Sequence, residues 1–120
     1  MGQVTGIGGL FFRARDPGML SAWYETYLGI LPPGPAVWRQ QAGDTVFSPF
    51  AQDSGYFAAD KQWMLNLRVQ GLTEMIAALQ SAGIAVETRA DWDGDGAYGQ
   101  FARIHDPEGN PIELWEPPAA

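Results

Sequence analysis

The side chains best placed to do chemistry lie near the end of the chain: Glu113, Arg103 and His105. A carboxylate can take a proton, hold a cation or pair with one. A guanidinium presents forked donors that match a carboxylate or phosphate. An imidazole is the ordinary general base near neutral pH, and His105 is the single histidine of the chain. Between these residues runs Asp106–Pro107–Glu108–Gly109–Asn110, a turn by composition: proline fixes φ, glycine accepts positive φ, and asparagine tolerates a left-handed position. A turn centred on Glu108 sets Arg103 opposite Glu113. Strand alternation then puts Ala102, Ile104, Ile112 and Leu114 on one face, and Phe101, Arg103, Glu113 and Trp115 on the other. Glu113 and His105 are the candidate catalytic groups. A lone histidine beside a turn is more often a solvated or hydrogen-bonding residue than a ligand, which leaves a general-base role open.

A second acidic stretch, Asp91-Trp92-Asp93-Gly94-Asp95-Gly96, begins like a calcium-binding loop. Its twelfth position is Ala102 where a bidentate glutamate is needed, and a strand pattern follows where a helix is needed. It reads as a solvated acidic turn. The chain has no cysteine, hence no thiol nucleophile and no disulfide framework.

These groups must be positioned by the rest of the chain. Val4–Ala14 alternates as a strand. Asp16 and Pro17 form a helix start, and Leu20, Trp23, Tyr24, Tyr27 and Leu28 recur at helical spacing before Gly29. Leu31–Pro35 is a rigid connector. A hairpin is expected from Ala36–Gln41 and Thr45–Phe50 around Gly43–Asp44. After a linker at 54–62, Trp63–Val69 reads as a strand, Leu72–Ala82 as a helix stopped by Gly83, and Ile84–Thr88 as a short strand. The two halves thus share one order: strand, helix, short strand, hairpin. The expected organisation is one domain, 1–120, made of modules at about 1–53 and 63–117.

Composition narrows the function. A chain of 120 residues can bury a real core but not two independent domains. Seven basic and fourteen acidic residues give a net charge of −7, which argues against nucleic-acid binding. No apolar run approaches the ~18 residues of a membrane span, and no leader pattern opens the chain, so a cytoplasmic protein is expected. Five tryptophans suit core packing or a flat-walled pocket.

Taken together, Gly6-Ile7-Gly9, Phe12-Arg13-Ala14-Arg15-Asp16-Pro17, Trp23-Tyr24, Leu28-Gly29, Ala82-Gly83-Ile84 and the closing Asp106–Trp115 motif make the whole chain resemble the vicinal oxygen chelate superfamily. That superfamily includes glyoxalases, bleomycin-resistance proteins and extradiol dioxygenases. The resemblance implies an α+β fold of two βαβββ modules, an eight-stranded cupped mixed sheet with helices outside, and a homodimer. It also implies four ligand positions in the metal-using members. Here these are Gly9, Phe47, Met64 and Glu113, of which only Glu113 suits a hard or borderline divalent ion. No metal site and no cofactor are expected.

The open face of such a cup would carry Phe11, Arg13, Trp38, Phe47, Met64, Asn66, Arg68, Phe101, Arg103, Glu113 and Trp115, the expected ligand-binding set, together with Gly9 and Gln40. Three arginines and one carboxylate make that face positive within a negative protein. Either solvent and an Arg103–Glu113 cross-strand pair satisfy the arginines, or an anionic ligand does. The leading expectation is a metal-free protein binding a planar or anionic small molecule. The alternatives are a metal-dependent or acid–base lyase, isomerase or dioxygenase using Glu113, and a regulatory or protein-interaction domain with a filled cavity.

Overall fold

The computed structural model describes residues 1–31 and 37–119. Three strands and three helices follow one another as α1 (Pro17–Leu28), β1 (Leu65–Arg68), α2 (Leu72–Ser81), α3 (Ala90–Asp93), β2 (Gln100–His105) and β3 (Pro111–Glu116). The fold is α+β with a mixed sheet ordered β1-β3-β2, β1 parallel and β2 antiparallel to the central β3.

The closing hairpin forms in the expected register. Arg103 faces Glu113, Ala102 faces Leu114 and Ile104 faces Ile112. Ala102, Ile104, Ile112 and Leu114 are fully buried and pack with Leu20 and Tyr24 of α1 and Leu72 and Leu79 of α2. Burying such side chains contributes about 1.5–3 kcal/mol for each large aliphatic. The opposite face carries Arg103 and Glu113, both of them buried.

Local chemistry explains the helix ends. Asp16 caps α1 by accepting from the Met19 N–H at 3.1 Å, Pro17 occupies the first turn, and Gly29 closes the helix in a left-handed conformation. The hairpin then clamps both long helices. Glu108 accepts from the backbone N–H groups of Arg15 (2.6 Å) and Asp16 (3.0 Å), just ahead of α1. Glu116 accepts from Gly71 (3.1 Å) and Leu72 (3.0 Å) at the start of α2. A carboxylate there satisfies donors that the helix itself cannot and complements its positive end.

Several expected strands are absent among the described residues. Val4–Ala14 runs without strand pairing, with Phe11 94% exposed, and the described parts of the first hairpin, Val37–Gln41 and Thr45–Phe50, do likewise. Alternation marks a segment able to line a sheet, but a strand exists only when a neighbour takes its N–H and C=O groups, and none does here. The connector at 32–35 and Ala36 lie outside the described residues. Ile84–Thr88 contributes one bridge, in which Glu87 and Arg103 exchange N–H···O bonds of 2.9 and 2.8 Å. Among the described residues three strands are therefore found, where eight were expected.

Candidate functional site

On its open face β3 places Glu113 between Asn66 of β1 and Arg103 of β2. Glu113 is 6% exposed, and both of its oxygens accept hydrogen bonds. Asn66 Nδ2 donates to Oε1 at 2.7 Å, and the Tyr56 hydroxyl donates to Oε2. Tyr56 belongs to the stretch between β1 and the first half, so a segment without strands or helices reaches the sheet through its hydroxyl. Burial, reinforced by the hydrogen bond to Glu113, pushes the Tyr56 phenol up to about 12. It keeps its proton at neutral pH and acts as a donor.

Arg103 is equally buried, at 6% exposure. Its guanidinium lies 5.0 Å from the Tyr56 ring centroid and 5.2 Å from that of Trp92, and Nη2 donates to the Tyr56 carbonyl at 3.1 Å. Among the described residues its Nε has no hydrogen-bond partner. The expected Arg103–Glu113 cross-strand ion pair does not form. Among the described residues the ion pairs are Arg15–Glu108 at 4.0 Å and Arg89–Asp91 at 3.3 Å. The cause is local competition. Asn66 and Tyr56 take the oxygens of Glu113, while the two rings and the Tyr56 carbonyl hold the guanidinium.

The result is a buried cation with aromatic faces and one idle donor. Such a group is costly to bury unless something completes its coordination. It borders an open concavity of ≈ 540 Å³ whose other lining residues include Tyr56, Glu87, Arg89, Trp92 and His105. A second hollow of ≈ 560 Å³, lined by Ser54, Gly55, Tyr56, Arg89, Asp91 and Trp92, adjoins it. The Arg89 guanidinium carbon lies 5.5 Å from the Trp92 centroid, adding a second cation beside the same ring.

The sequence-predicted residues divide sharply. Asn66, Arg103 and Glu113 converge as one cluster, and His105 stands exposed at the end of β2 on the rim of the concavity. Phe101 and Trp115 stack at 6.4 Å and 10°, with Trp115 Nε1 donating to the Tyr98 carbonyl at 2.6 Å, so this pair braces the sheet. Arg68 is occupied elsewhere, donating to the carbonyls of Asp44 and Gln41 at 2.6 Å each. Phe11, Arg13, Trp38 and Phe47 lie exposed on segments outside the sheet, and Met64 is half-buried just before β1. Phe11, Arg13, Trp38 and Phe47 are not gathered around Glu113, because the segments that carry them form no strand pairing.

Tyr56, Trp92 and Arg89 were missed. Tyr56 sits in the segment read as a linker, and Trp92 in the stretch read as an acidic turn. The signal was present in both: a tyrosine-phenylalanine pair and a tryptophan are unusual in purely solvated connectors. The acidic stretch itself forms α3 and a turn. Asp93 Oδ1 accepts from the Phe101 N–H and Asp95 Oδ1 from Ala97, each at 3.0 Å. Among the described residues no three acidic, histidine or cysteine side chains converge to hold a metal ion. No helix among them is long and apolar enough to cross a membrane.

No family profile matches the chain, and no curated protein sequence does. Among solved structures the chain is similar to TnmS3, an antibiotic binding protein from Streptomyces sp. CB03234, with a TM-score of 0.51 and 24% identity over 87% of this chain and 88% of that one. At that identity the likeness speaks for a shared fold.

Proposed function

We propose that this chain is a metal-free small-molecule-binding protein of the vicinal oxygen chelate type, similar in role to bleomycin-resistance proteins, whose open sheet face takes a planar, negatively charged ligand. One observation carries the reading. Arg103 is buried between two aromatic rings, has no carboxylate partner among the described residues, carries a buried Nε without a hydrogen bond, and lines a concavity. A planar anion would pair with the guanidinium while its ring packs against Trp92. The shared fold with a protein described as antibiotic binding supports a small-molecule role. The full eight-stranded cup, with modules at 1–53 and 63–117, belongs to this proposal. It would draw the exposed apolar residues of the first half into the sheet as a homodimer.

A panel of matched aromatic carboxylates, amines and neutral analogues, read by thermal shift, tests the reading. The acids should raise Tm and the amines should not. Stabilisation by the amines, or by none of the panel, would sink it, the second result favouring a domain whose cavity is filled by its own side chains. An acid–base enzyme has one specific observation in its favour, the Tyr56–Glu113 contact. Both Glu113 oxygens are already engaged, which leaves that carboxylate poorly disposed to take a proton from a substrate.

A further inference from the structure

We infer that Tyr56 is a built-in stand-in for the ligand, and that the site accepts a phenol bearing a carboxylate at tyrosine-like spacing. The inference rests on the small-molecule reading above and names the chemistry of that same site. Tyr56 makes three contacts that a diffusible molecule could make instead. Its hydroxyl donates to Glu113, its carbonyl oxygen accepts from Arg103 Nη2 at 3.1 Å, and its ring lies 5.0 Å from the guanidinium. Each half of the site is left short of partners if Tyr56 leaves. Glu113 retains Asn66 as a donor on Oε1 and needs a second on Oε2. Arg103 loses its acceptor and already has Nε unpaired. A ligand with a hydroxyl at one end and an anionic acceptor at the other meets both demands, and a carboxylate gives the cation the charge partner that a peptide carbonyl cannot.

The segment carrying Tyr56 is built to be exchanged. Residues 51–62 contain no helix or strand, and their backbone–backbone hydrogen bonds are local: Ser54 to Ala51 at 2.9 Å and Lys61 to Ala58 at 3.0 Å. Among the described residues, the two hydrogen bonds joining this segment to the sheet both belong to Tyr56. Its ring otherwise meets Phe50 at 5.6 Å and Trp92 at 6.2 Å, aromatic surfaces that would receive the ring of an incoming phenol equally well. Displacement would exchange contacts of one kind for the same kind and add a charge pair.

The test uses 3-(4-hydroxyphenyl)propanoate, which is tyrosine without its amino group, against 3-phenylpropanoate, which lacks only the hydroxyl. Calorimetric titrations would be run on the wild-type chain, Tyr56→Ala and Tyr56→Phe. Removal of the internal competitor should tighten binding of the hydroxylated acid to Tyr56→Ala by about tenfold or more over wild type, and the hydroxyl should be worth a similar factor within that variant. Tyr56→Phe keeps the ring and carbonyl and loses only the donor to Glu113. It should still bind the hydroxylated acid more tightly than wild type does and still prefer it, which keeps the test intact if Tyr56→Ala fails to fold. Equal binding of the two acids overturns the inference. So does their failure to bind when other aromatic acids stabilise the wild type, and in both cases the small-molecule reading survives. Absence of binding by every aromatic acid overturns both.

Discussion

Replacing Asp106 by alanine should remove the knot that ties the closing hairpin to α1. The Asp106 carboxylate is 4% exposed and accepts four hydrogen bonds: from the Tyr24 hydroxyl at 2.7 Å, Asn110 Nδ2 at 2.8 Å, and the backbone N–H groups of Glu108 at 2.9 Å and Asn110 at 3.0 Å. Hydrogen bonds to a charged acceptor are worth roughly 1.5–3 kcal/mol each before their donors are rehydrated. The donors on the half-buried turn can recover water, but the Tyr24 hydroxyl is left stranded in the core. The net cost is therefore about 3–4 kcal/mol. For 120 residues the unfolding entropy is roughly 0.25 kcal/mol/K, so Tm should fall by about 12–16 °C. Tyr24→Phe, which leaves Asp106 with three donors, should cost only about 1–1.5 kcal/mol. Urea unfolding of both single variants and the double variant measures the coupling, expected at about 1 kcal/mol or more. A cost below about 0.5 kcal/mol for Asp106→Ala, or a coupling near zero, would show that these contacts do not hold α1 to the hairpin.

Gly99 sits at φ +102, and a Cβ there would overlap the Glu116 carbonyl oxygen. Gly99→Ala should therefore destabilise the protein by about 2–4 kcal/mol, read by thermal unfolding, whereas Gly55→Ala, with nothing within 4 Å of the added carbon, should cost under about 1 kcal/mol. Alkaline titration probes the site. The Tyr56 phenol rises on folding from its ordinary value of 10.0 to about 12, so folding favours its protonated form. That contribution is complete below pH 10 and is lost as pH climbs from about 10 through about 12. Tyr24 shifts in the same direction, by burial and then by its bond to Asp106. Stability should fall across this window, and Tyr56→Phe should flatten the fall. An unchanged slope in Tyr56→Phe would remove Tyr56 from the account.

The parts of this structure legible in the sequence were those fixed by short-range chemistry. Asp16-Pro17 and Gly29 bounded α1, Asp106–Asn110 bounded the hairpin, and alternation across it put Arg103 opposite Glu113. Where the structure departs from this reading, long-range contacts decide. Register placed Arg103 beside Glu113, but only the arrival of Tyr56 and Trp92 from distant segments decided that the two would not pair. Likewise the alternation of Val4–Ala14 was real, yet pairing depends on a neighbour that no residue within the segment specifies.

The most direct test of the account is Arg103→Met, measured twice. A buried guanidinium without a carboxylate partner contributes little to stability, so an apolar side chain of similar length should leave the apo protein as stable as before or more stable. Binding of the aromatic acid that stabilises the wild type should weaken by about 30-fold or more, the loss expected when the guanidinium of a charge-assisted pair is removed. A variant that binds the acid undiminished, or whose apo Tm collapses, would mean that Arg103 serves the fold and not a ligand.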